Sequence, residues 1–150
     1  FICKQAKELK VRLAFNQGLD HRLLNENIVK LLKSIKHKQY RFAFDHPSYY
    51  KSVTRALKIL KKFKIHATWM VLVGFDTTLK EDLDRLNFLR DNKQDVCVMR
   101  YNKNSNPVYI PLSRWGCIHY YFREFTFEQF LDKNYKKHKT YDVWKEVIRR

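Results

Sequence analysis

The residues whose types and placement suit chemistry are the polar and glycine residues that end four short apolar runs. Asn16-Gln17-Gly18 follows residues 11–15, Asp45-His46 follows 40–44, Gly74-Phe75-Asp76 follows 69–73 and Tyr101-Asn102 follows 96–99. Carboxamides and a carboxylate at such positions can bind the hydroxyls and amines of a small molecule. Two of the chain's three glycines fall here, where a positive φ or a close backbone approach to a ligand selects glycine. The same residue types are also ordinary turn formers. Other constellations offer less. Cys3, Cys97 and Cys117 are far apart and odd in number, which fits neither a disulfide framework nor a C-x-x-C metal site. They are expected to be small, reduced, buried or half-buried hydrophobes. The six histidines show no H-x-x-x-H or H-x-H spacing, so no zinc site is expected. His46 alone sits at a run's end, and a turn role accounts for it. Capping accounts for Glu81, and favourable charge near a helix start accounts for Asp82 and Asp84.

The elements that would position these residues are legible from periodicity. The four runs start 29, 29 and 27 residues apart, and between them lie amphipathic helical patterns. Ile28, Leu31, Leu32 and Ile35 form the first stripe, while Val53, Ala56, Leu57 and Leu60 form the second within residues 48–63. Leu79, Leu83, Leu86 and Leu89 form the third. Strand, helix, strand at a near-constant period predicts an α/β fold with parallel strands in βα units. Asn25 precedes the first stripe, Pro47 suits a first helical turn, and Thr78-Leu79-Lys80-Glu81 reads as a capping box. The carboxyl ends of parallel strands share one edge, where βα-loop enzymes place their sites, whether the sheet closes or stays open.

Beyond Asn102 the pattern changes. Asn104-Ser105-Asn106-Pro107 is a turn-rich break, dividing residues 1–103 from a helical, aromatic-rich extension over 104–150. Residues 125–131 and 141–148 are the candidate helices there, the second capped by Thr140. Trp115, Phe122, Phe125, Phe127 and Phe130 are expected to pack this tail on the sheet. A platform for stacked bases is the alternative.

A chain of 150 residues with 45% hydrophobic content builds one compact core. Its net charge of +16 exceeds what solubility needs, which raises a polyanionic partner such as nucleic acid. Residues 1–64 carry 16 basic and 4 acidic side chains. Among them, Lys51, Arg55, Lys58 and Lys62 line the outer face of the second helical pattern, as a solvated helix face does. No stretch reaches the roughly 18 apolar residues of a membrane span, and the Phe1-Ile2-Cys3-Lys4 start lacks signal-peptide character. A cytoplasmic chain is expected. The initial Phe1 reads as the start of a processed chain or of a piece of a longer protein.

Three segments carry a more specific likeness: Phe15-Asn16-Gln17-Gly18-Leu19-Asp20 with Arg22-Leu23-Leu24, Arg41-Phe42-Ala43-Phe44-Asp45, and Val71 through Thr78 with Glu81-Asp82 and Arg85-Leu86-Asn87. Together with Val98-Met99-Arg100-Tyr101-Asn102, they resemble the C-terminal part of a radical S-adenosylmethionine (SAM) protein over roughly residues 1–131. The resemblance implies four βα units, similar to strands three to six, of a TIM-like (β/α)6 partial barrel. In that superfamily a [4Fe-4S] cluster cleaves SAM to a 5′-deoxyadenosyl radical. The resemblance also implies that Gly74 lies beside the adenine and that Tyr101 and Asn102 frame the base. By the same likeness Asn16, Gln17 and Asp45 face ribose or substrate, and Arg22 pairs with the SAM carboxylate. The chain departs from the family in lacking C-x-x-x-C-x-x-C, so the cluster is expected only in a longer parent protein. SAM and an unknown substrate are then the partners. A basic nucleic-acid-binding module without catalysis is the alternative function.

Overall fold

The structure, a computed structural model, describes residues 1–102 and 106–150. It is an α/β fold around a three-stranded, fully parallel open sheet. The strands are β1 (Arg41–Ala43), β2 (Thr68–Val73) and β3 (Asp95–Arg100), in the order β1-β2-β3. Helix α1 (Ile2–Glu8) and helix α2 (Glu26–Lys33) precede β1. Helix α3 (Tyr50–Lys62) links β1 to β2, and α4 (Leu79–Asp91) links β2 to β3. These are the crossovers that parallel neighbours require. Four more helices follow: α5 (Tyr109–Cys117), α6 (His119–Glu124), α7 (Phe127–Asn134) and α8 (Tyr141–Arg149).

Alternation along the strands sorts the sheet into two faces. In register, Phe42, Trp69 and Val96 lie side by side and are buried, as are Phe44, Val71 and Val98 along the strands. The intervening residues Ala43, Met70 and Leu72 are half-buried, while Cys97 and Met99 are exposed. The core therefore sits on one face. Val53, Ala56, Leu57 and Leu60 of α3 and Leu83, Leu86 and Leu89 of α4 join it, as their spacing predicts. Lys51, Arg55, Lys58 and Lys62 are exposed, again as predicted.

Of the four predicted strands, three form. Residues 11–15 do not: Leu13 and Leu19 make only isolated parallel bridges, to His37 and Phe42. None of residues 11–20 is buried, so apolar character there is not matched by a face to cover. The first helical stripe is also shorter than its pattern, because α2 ends at Lys33; Val29 and Leu32 are its buried residues and Leu31 is exposed.

Local signals decide most helix starts. Asn25 accepts from the Ile28 N–H at 3.0 Å, and Thr78 with Glu81 forms the complete capping box. The tail helix expected at 125–131 starts later, at Phe127, because Thr126 and Gln129 form a second capping box and Phe125 is extended. Thr140 precedes α8 without capping it; its hydroxyl pairs with His138 Nδ1 at 2.8 Å. Trp115, Phe122, Phe127 and Phe130 are buried and Phe125 half-buried, so these rings are core. The indole N–H groups of Trp115 and Trp144 donate to the Phe125 and Val108 carbonyls at 3.0 and 2.7 Å, which removes the cost of burying them. The predicted break at Asn104-Ser105 lies outside the described residues. No helix among the described residues is long and apolar enough to cross a membrane.

Candidate functional site at the carboxyl edge of the sheet

All three strands end on the same edge, and the residues just beyond them are Asp45, Gly74 with Phe75, and Tyr101 with Asn102. One buried ion pair holds this edge. Arg85 of α4 donates to the Phe44 carbonyl at 2.5 Å, to the Leu72 carbonyl at 2.8 Å and to the Asp82 carboxylate. Both side chains are fully buried. Asp82 in turn accepts the Gly74 N–H at 3.0 Å and the Thr77 hydroxyl at 2.7 Å. Asp82 lies in the first turn of α4, where its charge is favourable, and it also ties the β2 turn to that helix. A buried guanidinium with two carbonyls and a carboxylate around it meets most of its hydrogen-bonding demand. Its Nε is the one buried side-chain nitrogen or oxygen without a partner among the described residues.

Gly74 has φ +77°, and a Cβ there would lie 2.8 Å from the Tyr109 ring. The turn therefore needs glycine twice over, for conformation and for space. Burial first, and then Asp82, push the Tyr109 hydroxyl's pKa upward. Because Asp82 takes the Gly74 N–H, this glycine shapes the edge without presenting that donor to a ligand. Tyr101 follows β3, with its N–H on the Val73 carbonyl at 3.0 Å. Its ring packs against Phe75 at 4.7 Å between centroids. Phe75 and Tyr101 stay 50% and 54% exposed, so the pair, its rings tilted 53° to each other, offers an exposed aromatic surface at the strand mouths. Asn102 adopts φ +48°.

On the β1 side a cavity of about 310 Å³ is lined by Gln17, Gly18, His21, Arg22, Asp45 and Tyr49, among others. The structure thus brings Gln17, Arg22 and Asp45 together, while Asn16 is exposed on the adjoining turn. Asp45 also braces the edge, since its Oδ1 accepts the Leu72 N–H at 3.0 Å. Arg22 is engaged within its own turn, its Nε and Nη2 reaching the two Asp20 oxygens at 2.9 and 2.8 Å. That fork lowers the Asp20 pKa to about 2. Asp20 thus takes the Nε–Nη2 side of this guanidinium, leaving its Nη1 side to any incoming carboxylate. His46 accepts the Ser48 N–H at 3.1 Å, the turn role its position predicts.

Three groupings have no signature in the sequence. His21, buried at the cavity wall, hydrogen-bonds Ser52 Oγ at 3.0 Å, and burial lowers its pKa, favouring the neutral ring. Cys97 and Cys117 are exposed, contrary to the buried or half-buried expectation; only Cys3 is half-buried. At the opposite, amino-terminal end of β3, Asp95 meets Arg123 Nε at 2.8 Å, His66 Nε2 at 2.8 Å and His119 Nδ1 at 3.5 Å. The adjacent cavity is larger, about 520 Å³. Burial works against the Asp95 charge, and Arg123 and His66 override it and hold its pKa low. This carboxylate is already paired, and the network clamps α6 to β3. The carboxyl edge is the better ligand site. It combines an exposed aromatic pair with a polar cavity, a carboxamide and a carboxylate, which suits a small molecule with a flat apolar part and hydroxyl groups.

Compared with family models, with curated proteins and with solved structures, the chain matches none.

Proposed function

We propose that this chain is the C-terminal portion of a radical SAM enzyme, its three parallel strands forming part of a TIM-like partial barrel that binds SAM at the carboxyl edge. The observation that carries the reading is the convergence, at one edge of a parallel sheet, of the Gly74 turn, the Phe75–Tyr101 pair and the cavity holding Gln17 and Asp45. In this reading the adenine lies against Phe75 and Tyr101 and the backbone beside Gly74. Gln17 and Asp45 hydrogen-bond the ribose hydroxyls, and the Arg85–Asp82 pair keeps the β1 and β2 ends in place.

The iron–sulfur cluster does not fit this chain. Cys97 and Cys117 lie on β3 and at the end of α5, Cys3 lies in α1, and no group of three His, Cys, Asp or Glu among the described residues is arranged to hold a metal. Three converging thiolates would have to come from other segments of a longer parent. The work of this chain is therefore binding and orientation.

The test is titration of SAM into the ¹⁵N-labelled chain. Perturbations centred on Gly74, Phe75, Tyr101 and the Gln17–Asp45 cavity are expected, and Asp45→Ala should weaken them. Absence of binding, or perturbations confined to the Asp95 end, overturns the reading. For a longer parent protein, anaerobic reconstitution with iron and sulfide should yield 5′-deoxyadenosine.

A further inference from the structure

Cys97 and Cys117 are separated by most of α5 and the segment before it, yet the fold brings their sulfurs together. Alternation along β3 buries Val96 and Val98 and turns Cys97 outward. Helix α5 packs its last turn onto the same strand through Gly116, where a Cβ would lie 2.5 Å from Val98 Cγ2 and 3.1 Å from Val96 Cγ2. Without that Cβ the helix end comes close enough for the next residue to reach the strand's outer edge. Cys117 Sγ accepts the Val98 N–H at 3.1 Å and lies 3.6 Å from the Val98 carbonyl oxygen. Val98 directly follows Cys97 in β3, so the Cys117 sulfur lies next to Cys97, and the mutual influence of the two thiols lowers the Cys97 pKa and raises that of Cys117. Both residues are exposed, and the Arg41 guanidinium adds positive potential at Cys97. An exposed thiol beside a cation and a second thiol is the setting of reactive cysteines.

We propose that Cys97 and Cys117 form a redox dithiol, Cys97 attacking and Cys117 resolving, which low-molecular-weight disulfides convert to an intrachain disulfide. The Cys97 thiolate attacks one sulfur of the incoming disulfide, forming a mixed disulfide and expelling one thiolate. Cys117 then gives up its proton and attacks the Cys97 sulfur, releasing the second thiol. The protein loses two hydrogens, and the disulfide, as oxidant, is reduced to two thiols. Charge orders the steps. The neighbouring Cys117 thiol first, then Arg41, lowers the Cys97 pKa to about 6, and the same closeness to Cys97 raises that of Cys117. Once Cys97 is in the mixed disulfide, its negative charge no longer holds the Cys117 proton in place.

The experiment treats the full, reduced chain with oxidised glutathione at neutral pH and maps the products by mass spectrometry. The expected product has lost two hydrogens and yields a peptide joining Cys97 to Cys117. Cys117→Ser should stop at a glutathione adduct on Cys97, and Cys97→Ser should leave Cys117 largely unmodified, with circular dichroism confirming the fold of each. At pH 6, iodoacetamide should modify Cys97 about tenfold faster than an ordinary thiol of pKa near 8.5, the gain in thiolate outweighing its lower intrinsic nucleophilicity. The proposal is overturned if wild-type Cys97 accumulates as the glutathione adduct, if Cys3 enters the disulfides as readily, or if Cys97 alkylates no faster than an ordinary thiol.

Discussion

Asp82→Ala probes the carboxyl edge most sharply. The substitution leaves the Arg85 guanidinium fully buried, still held by the Phe44 and Leu72 carbonyls but without its counter-charge. Removing one partner of a buried ion pair costs about 3–5 kcal/mol, because the other charge stays uncompensated. The Gly74 N–H and the Thr77 hydroxyl lose their acceptor as well, at about 1 kcal/mol each where water cannot replace it. Against a total stability of about 5–15 kcal/mol, that is a large fraction. At about 2–4 °C per kcal/mol for a chain this long, the melting temperature should fall by roughly 10–30 °C. Urea denaturation followed by tryptophan fluorescence suits the measurement, since Trp69, Trp115 and Trp144 are all buried. Adding Arg85→Met removes the stranded charge, so the double variant should be clearly more stable than the sum of the two single losses predicts. If Asp82→Ala costs less than about 1 kcal/mol, or if the two substitutions simply add, Asp82 and Arg85 are not the coupled pair that holds the strand ends.

Three further outcomes are expected. Gly74→Ala should lose about 1–3 kcal/mol through its positive φ, and adding Tyr109→Leu should restore only the part due to the ring contact; full recovery would show that conformation is not the constraint. Gly116→Ala should destabilise by about 1–3 kcal/mol through overpacking against Val98 and Val96, despite alanine's better helix propensity, so a stabilised variant would contradict the close approach of α5 to β3. Because the Asp95 pKa is lowered in the fold, its stabilising contribution is present above the unfolded value near 3.9 and is lost as pH falls through the lower folded value. Asp95→Asn should therefore destabilise at neutral pH and flatten the acid limb of the stability profile, and an unchanged limb would remove Asp95 from the linkage.

What the sequence made legible was whatever leaves a local period or a local cap. The stripes of α3 and α4, the Thr78–Glu81 box and the runs that became β2 and β3 all do so. Residues 11–15 show the limit, because an apolar run records a tendency to be covered, while strand formation needs a continuous partner; Leu13 and Leu19 find only single bridges. Asp82 and Arg85 lie three apart on one helix and look like any surface charge pair until the burial of that face is known. The Gly74 turn was readable because glycine is scarce here. Phe75 as partner of Tyr101, His21 as cavity wall, and the Asp95 and Cys97–Cys117 groupings depend on chain crossings that no spacing encodes.

The thiol of Cys117 has a consequence for how this sheet can grow. Strand addition at β3 would need the outward N–H and carbonyl of Val98, and the sulfur already occupies both. On the other flank, residues 13–19 run parallel to the chain leading into β1 and touch it at two points, leaving stretches of backbone between them for a fuller ladder. Recruitment of further β-structure is therefore directional, sealed at one flank by a sulfur atom and receptive at the other.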